Sequence, residues 1–163
     1  MPRVYVSVGS NMDREKNIRG AFQALARRFG DITASTVYQT KAEGFDGEDF
    51  YNFVAGFDTD EPLETVRDVL ATVETNHGRT RGGDRYGPRT LDIDVLLYGD
   101  LIRHEGRIDV PRGEILKFGF VLGPLAEIAP ERQHPETGEH FKDLWQRFEN
   151  KSTLQPVQLD FND

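Results

Sequence analysis

Cysteine is absent from the chain. That excludes disulfides, thiolate metal sites and cysteine nucleophiles, and makes an intracellular, reducing compartment the expectation. Long apolar runs are missing as well: no stretch approaches the ~20 residues that a bilayer span needs. The opening residues, MPRVYVSVGSN, lack both the apolar core of about 7 to 15 residues and the small-residue cleavage site of a signal peptide. A water-soluble cytoplasmic protein with no membrane partner is therefore expected. Positive charge is scarce too. The 20 Lys and Arg face 28 Asp and Glu, a net charge of -8 whose field repels polyanions, so no nucleic-acid partner is expected. No internal repeat, low-complexity tract or linker is visible. The 163 residues suit one domain spanning 1–163, able to bury about two thirds of the surface its unfolded form would expose.

Against that acidic background, residues 79–98 read RTRGGDRYGPRTLDIDVLLY. Arg79, Arg81, Arg85 and Arg89 are opposed between positions 79 and 89 only by Asp84. Such a local excess of guanidinium in an acidic chain points to a compact anion. Gly82-Gly83 and Gly87-Pro88 set a flexible piece and a fixed turn among the arginines, as a lid over an anionic ligand requires.

The rest of the chain reads as a short series of elements. Val4, Val6 and Val8 alternate with Tyr5 and Ser7, which predicts a strand ending at Gly9-Ser10-Asn11. Ile18, Phe22, Leu25 and Phe29 recur at spacings of three and four, predicting a helix from Asp13 to Phe29 closed by Gly30. A strand over Ile32 to Thr40 is followed by a polar loop and by an alternating strand, Phe50 to Asp58. In the latter, Tyr51, Phe53, Ala55 and Phe57 share one face, with Phe50, Asn52 and Val54 on the other. Pro62 suits the first turn of a second helix carrying Leu63, Val66, Leu70 and Val73, closed by His77-Gly78. A strand over Thr90 to Tyr98 then sends Leu91, Ile93, Val95 and Leu97 to one side.

Beyond Gly99 the pattern weakens to short extended pieces, a helical turn at Glu114 to Phe118, a helix over Phe141 to Phe148 and a terminal extended run. The leading order is strand, helix, strand, strand, helix, strand. It predicts an α+β, ferredoxin-like fold: a mostly antiparallel sheet with helices packed on it, plus C-terminal additions.

On the last of the leading strands, Asp92 and Asp94 are two residues apart, so both carboxylates leave the same face about 7 Å apart at Cα. Alone, such a pair reads as a solvated face, and the arginines alone as a surface salt-bridge cluster. Together with the glycines they read as a lid over a metal-bound polyphosphate: Mg²⁺ takes one or two carboxylates and fills its remaining positions with water and phosphate oxygens. Gly9-Ser10-Asn11 lacks the residues of a P-loop and reads as a plain turn. His104, His134 and His140 show no ligand spacing and read as surface residues, and His77 as a helix cap.

The run Arg85-Tyr86-Gly87-Pro88-Arg89-Thr90-Leu91-Asp92-Ile93-Asp94-Val95-Leu96-Leu97 resembles the signature of the 6-hydroxymethyl-7,8-dihydropterin pyrophosphokinase family. The resemblance extends to Gly9-Ser10-Asn11, Thr40 and Gly44, Phe50 and Asn52, Glu74, Gly78 to Arg81, Phe120-Val121-Leu122, Pro124-Leu125 and Glu127 to Pro130. It implies a ferredoxin-like enzyme of folate biosynthesis that moves diphosphate from ATP, the co-substrate, to the pterin hydroxymethyl group.

By position, the resemblance makes Asp92 and Asp94 the ligands of two Mg²⁺ ions, and Arg79, Arg89, Asp92 and Asp94 the catalytic set. ATP would meet Glu74, Arg79, Arg81, Arg85, Arg89 and Arg112. The pterin would meet Thr40, Gly44, Phe50, Asn52, Tyr86 and Phe120. A monomer with small-molecule substrates is the expectation. Three positions depart from the family pattern: Lys41-Ala42-Glu43 lacks the usual proline before Gly44, Arg112 follows Pro111 where His is usual, and Phe118 stands where Arg is usual. Those departures motivate an alternative, a catalytically weak or inactive paralogue that binds ATP or pterin as a sensor or partner protein. A single-stranded nucleic-acid module is a further rival, opposed by the net charge.

Overall fold

The computed structural model describes residues 1–40, 49–77, 91–149 and 154–161. Strand β1 (Arg3–Ser10) leads into helix α1 (Arg14–Phe29), then β2 (Thr33–Ala34), β3 (Val37–Thr40), β4 (Phe50–Asp58), α2 (Leu63–Asn76) and β5 (Asp92–Tyr98). The strands lie side by side in the order β5, β1, β4, β3, every pair antiparallel, with β2 also on β4. This order, with α1 and α2 as the crossovers, is the ferredoxin-like arrangement expected. Beyond it come a hairpin of β6 (Arg103–Glu105) and β7 (Ile108–Val110), a 3-10 turn at Gly113–Leu116, and helices α3 (Gly119–Ile128) and α4 (Phe141–Gln146). The last strand, β8 (Gln155–Val157), pairs with β3 and covers that edge of the sheet.

Period-2 alternation sorts the sheet's side chains between two cores. Val4, Val6, Val8, Phe53, Ala55 and Phe57 meet the stripes of α1 (Ile18, Ala21, Leu25) and α2 (Leu63, Val66, Leu70, Val73). On the opposite face Tyr5, Val54 and Leu97 meet Val121, Leu122 and Leu125 of α3 and Phe141 and Leu144 of α4. Each such side chain contributes about 1.5–3 kcal/mol on full burial. The sheet is thus covered on both faces, by the leading helices on one and the C-terminal additions on the other.

Four expectations are corrected. Leu97 does not join Leu91, Ile93 and Val95, because the pairing of β1 with β5 shifts between Tyr5 and Val6: Tyr5 faces Leu97 while Val6 faces Val95. Leu96 is the extra residue, and a bulge reverses the alternation beyond it. The strand expected over Ile32 to Thr40 is split in two at Ser35, whose hydroxyl replaces a backbone carbonyl as acceptor for the Val54 N–H at 2.9 Å. Helix α3 was not expected at all. Gly119, Gly123 and Pro124 lie within it, and most of it is buried, so it lacks the two-sided pattern of a surface helix. His134 is buried, its Nδ1 accepting the amides of Glu136 and Thr137 at 3.1 and 3.3 Å, and desolvation lowers its pKa.

Candidate active site

The register brings one row of side chains together across four strands. Asp92 pairs with Gly9, Gly9 with Asn52 and Asn52 with Tyr38, so Asp92, Asn52 and Tyr38 emerge from the same face. The rows on either side add Asp94, paired with Ser7, and Phe50, paired with Thr40. Asp92, Asp94, Asn52, Phe50 and Thr40, singled out from distant stretches of sequence, therefore share one end of one sheet face.

Gly9 is what allows Asn52 to lie across this row. A Cβ at Gly9 would stand 2.8 Å from the Asn52 Oδ1. With that space open, Asn52 Nδ2 donates to Thr40 Oγ1 at 2.8 Å, and both residues are buried. A buried amide so fixed presents a defined donor and acceptor edge. Ser10 belongs to the end of β1, with its hydroxyl donating to the Met12 carbonyl at 2.9 Å. Gly9 and Ser10 thus belong to β1, with Gly9 against Asn52, and of the expected turn only Asn11 lies in the bend that follows.

Next to the carboxylates sits Arg112. Its backbone N–H donates to the Leu96 carbonyl of β5 at 2.9 Å. Its guanidinium lies 3.7 Å from Asp94 Oδ2 and donates to Glu114 Oε1 at 2.8 Å. Burial works against its charge, but the hydrogen bond to Glu114 and the carboxylates of Asp94, Glu114 and Asp109 hold its pKa above the ordinary value. Glu74, on α2, reaches the same strand from its outer edge, where its carboxylate accepts the Ile93 N–H at 2.9 Å. Phe120, in the first turn of α3, packs partly buried against the second core, its ring stacked on Phe118 with centroids 5.2 Å apart.

The motif reading missed a clamp opposite Arg112. The Glu127 carboxylate of α3 accepts the Thr36 amide and hydroxyl, both at 2.8 Å, and the Tyr38 hydroxyl at 2.6 Å. Burial, then the hydrogen bond and the charge of Glu127, push the Tyr38 phenol up to about 12. The clamp ties α3, which carries Phe120, to β3, which carries Thr40. About ninety positions separate its partners, so no spacing rule could have found it. Gly44, Arg79, Arg81, Arg85, Tyr86 and Arg89 lie outside the described residues, as do both loops that carry them.

Among the described residues no cluster of three or more His, Asp or Glu suited to a metal is present. The donors at hand are the paired carboxylates, hard oxygen ligands that leave most of an ion's positions to water and phosphate. The donor set fits Mg²⁺ carried on a polyphosphate.

The fold is that of a ferredoxin-like α+β protein, with polar and acidic side chains gathered at one end of one sheet face. The sequence profile of the 7,8-dihydro-6-hydroxymethylpterin-pyrophosphokinase (HPPK) family matches residues 5–130. The 2-amino-4-hydroxy-6-hydroxymethyldihydropteridine pyrophosphokinase of Pseudomonas aeruginosa is 37% identical over 147 residues, covering 87% of this chain and 89% of its own. The Aquifex aeolicus protein of the same name is 34% identical over 158 residues, 96% of each chain. The crystal structure of Plasmodium falciparum HPPK-DHPS with pteroate superposes with a TM-score of 0.67 over 90% of this chain at 12% identity. This chain spans only 42% of that longer one, and the likeness bears on fold alone. The chain belongs to the HPPK family.

Proposed function

We propose that the chain carries out its family's reaction, moving diphosphate from ATP to 6-hydroxymethyl-7,8-dihydropterin in folate biosynthesis, at the end of the sheet face just described. The observation that carries the assignment of the site is the single row Asp92, Gly9, Asn52, because it sets a metal-type carboxylate and a fixed amide edge on one surface. In this reading the pterin hydroxymethyl oxygen attacks the β-phosphorus of ATP, the bond from that phosphorus to the α-phosphate's bridging oxygen breaks, and AMP departs. Catalysis of this kind is mostly positioning and charge neutralisation.

Each described residue then has a task. Asn52, held by Thr40, reads the polar edge of the pterin, and Phe50 and Phe120 offer ring faces to its plane. Asp92 and Asp94 would hold Mg²⁺, which when bound offsets phosphate charge and favours ionisation of the attacking hydroxyl. Arg112, kept charged by Glu114, meets the nucleotide's phosphates, and Glu74 keeps β5 in register by capping its outer edge. Arg79, Arg81, Arg85, Arg89 and Tyr86 complete the reading as lid residues, and Gly44 as part of the pterin side. A monomer in the cytoplasm is part of the same proposal, the monomer being supported by the partners that Glu74 and Arg112 give to backbone groups of the edge strand β5. Among the described residues nothing favours the non-catalytic alternative.

Kinetic division tests the proposal. Asn52→Ala is expected to raise KM for the pterin by about tenfold or more while leaving KM for ATP nearly unchanged. Asp94→Asn is expected to lower kcat by at least about 10²-fold without loss of fold. Equal effects of both substitutions on both substrates would overturn the division.

A further inference from the structure

Phe118 immediately precedes α3, with an extended backbone of φ -122° and ψ 127°. Its carbonyl accepts the amides of Val121 and Leu122 at 3.1 and 3.0 Å, a capping task that any residue's carbonyl can perform. The side chain does more than the cap requires. Residues two apart on a helix point away from each other. Because Phe118 is extended rather than helical, its ring swings back alongside Phe120, with centroids 5.2 Å apart and planes only 20° from parallel. Phe118 nevertheless stays 39% exposed, so burial does not explain its presence. Phe120 is supported by the second core and by this near-parallel neighbour.

We propose that Phe118 is a positioning residue for the pterin: its ring backs Phe120 and fixes the plane that Phe120 offers to the flat heterocycle. The torsion that sets a phenyl plane is soft, and an offset-stacked neighbour restricts it. A planar ligand stacks only on a plane held parallel to it, so freedom in Phe120 would appear as lost pterin affinity. The position is also one where the family resemblance expects an arginine, so this chain has an aromatic support in place of a cation. The inference rests on the reading of Phe120 as a wall of the pterin site.

The test compares Phe118→Ala, Phe118→Tyr and Phe120→Ala in steady-state kinetics, with binding of 6-hydroxymethyl-7,8-dihydropterin measured by calorimetry and Tm recorded for each variant. The expected result is that Phe118→Ala raises KM and Kd for the pterin about three- to tenfold, leaves KM for ATP unchanged, and is rescued by Phe118→Tyr. Unchanged pterin binding in Phe118→Ala, alongside a clear loss in Phe120→Ala, would overturn this inference alone. Unchanged pterin binding in Phe120→Ala would overturn the reading of the pocket and the inference with it. A matched loss for ATP and pterin that Phe118→Tyr does not rescue would show Phe118 to be structural only.

Discussion

Gly9→Ala tests the geometry of the row most sharply, because the new methyl group enters a space that one defined atom occupies. The added Cβ would lie 2.8 Å from Asn52 Oδ1, about 0.6 Å short of the 3.4 Å at which ordinary contact begins. Both neighbours of Gly9 are paired strands, so its backbone has little room to yield. Asn52 must move instead, and the amide is tied to Thr40 by a 2.8 Å hydrogen bond in a buried setting. Breaking that bond costs about 1–3 kcal/mol. The unfolded chain loses freedom on replacing glycine by alanine, which offsets about 0.4–1 kcal/mol. A net destabilisation of about 0.5–2 kcal/mol follows, which for a domain of this size lowers Tm by about 1–8 °C. Displacing a substrate-reading group by a large fraction of an ångström is also expected to lower kcat/KM for the pterin by about tenfold or more. KM for ATP should stay within about twofold of wild type. Calorimetric melting and two-substrate kinetics measure both effects. Wild-type Tm and wild-type pterin kinetics in this variant would refute the claim that Gly9 and Thr40 together fix Asn52.

Other perturbations address the surrounding supports. Tyr38→Phe should remove from a spectrophotometric titration a phenol that ionises at about pH 12, since the Tyr38 pKa is raised to about 12 while its unfolded value is near 10. Because the protonated phenol is favoured in the folded state, its contribution is full below pH 10 and lost as pH rises toward 12, so wild-type stability should fall more steeply there than the variant's. An unchanged titration curve would contradict this. His104 lies between Asp109 at 2.5 Å and Glu136 at 3.1 Å, and those hydrogen bonds, the one to Asp109 foremost, raise its pKa. Its contribution is present below about pH 6.5 and lost as pH climbs through the raised value. Glu136→Gln should lower the imidazole pKa in an NMR titration, and no change would remove Glu136 from the cause. Gly20→Ala would set a Cβ 2.2 Å from His77 Nε2, in a ring pinned by Nδ1 to the Val73 carbonyl at 2.7 Å. Overpacking of about 1–3 kcal/mol should outweigh the helix-propensity gain of about 1 kcal/mol, and a variant more stable than wild type in urea would contradict it.

The leading elements were legible because each carries a clean local period: alternating valines in β1, and stripes of three- and four-residue spacing in α1 and α2, every predicted member of the α2 stripe being buried. Asp92 and Asp94 were legible because period 2 fixes which face a strand residue takes, however the sheet is assembled. Leu97 was misplaced for the complementary reason. A one-residue bulge reverses that face, and whether it forms depends on the partner strand rather than on the strand itself. Helix α3 was hidden by its glycines and proline, which read as breakers, and by burial over most of its surface, which erases the stripe. Local spacing could not show the pairing of Glu127 with Tyr38, of Arg112 with Asp94 or of Gly9 with Asn52. Contacts between distant segments exist only once the sheet order is known. His134 is a different case: its Nδ1 accepts amides two and three residues further along, a local turn, and what the residue type could not show is its burial, which depends on the fold.

The measurement that bears most directly on the central claim is a product assay with purified protein, ATP, 6-hydroxymethyl-7,8-dihydropterin and Mg²⁺, scored for AMP and for the pterin diphosphate. The account predicts both products in equal amounts, their loss on chelation of the metal, and their loss with Asp94→Asn. Binding of ATP and pterin without either product, or products that persist in Asp94→Asn, would contradict it.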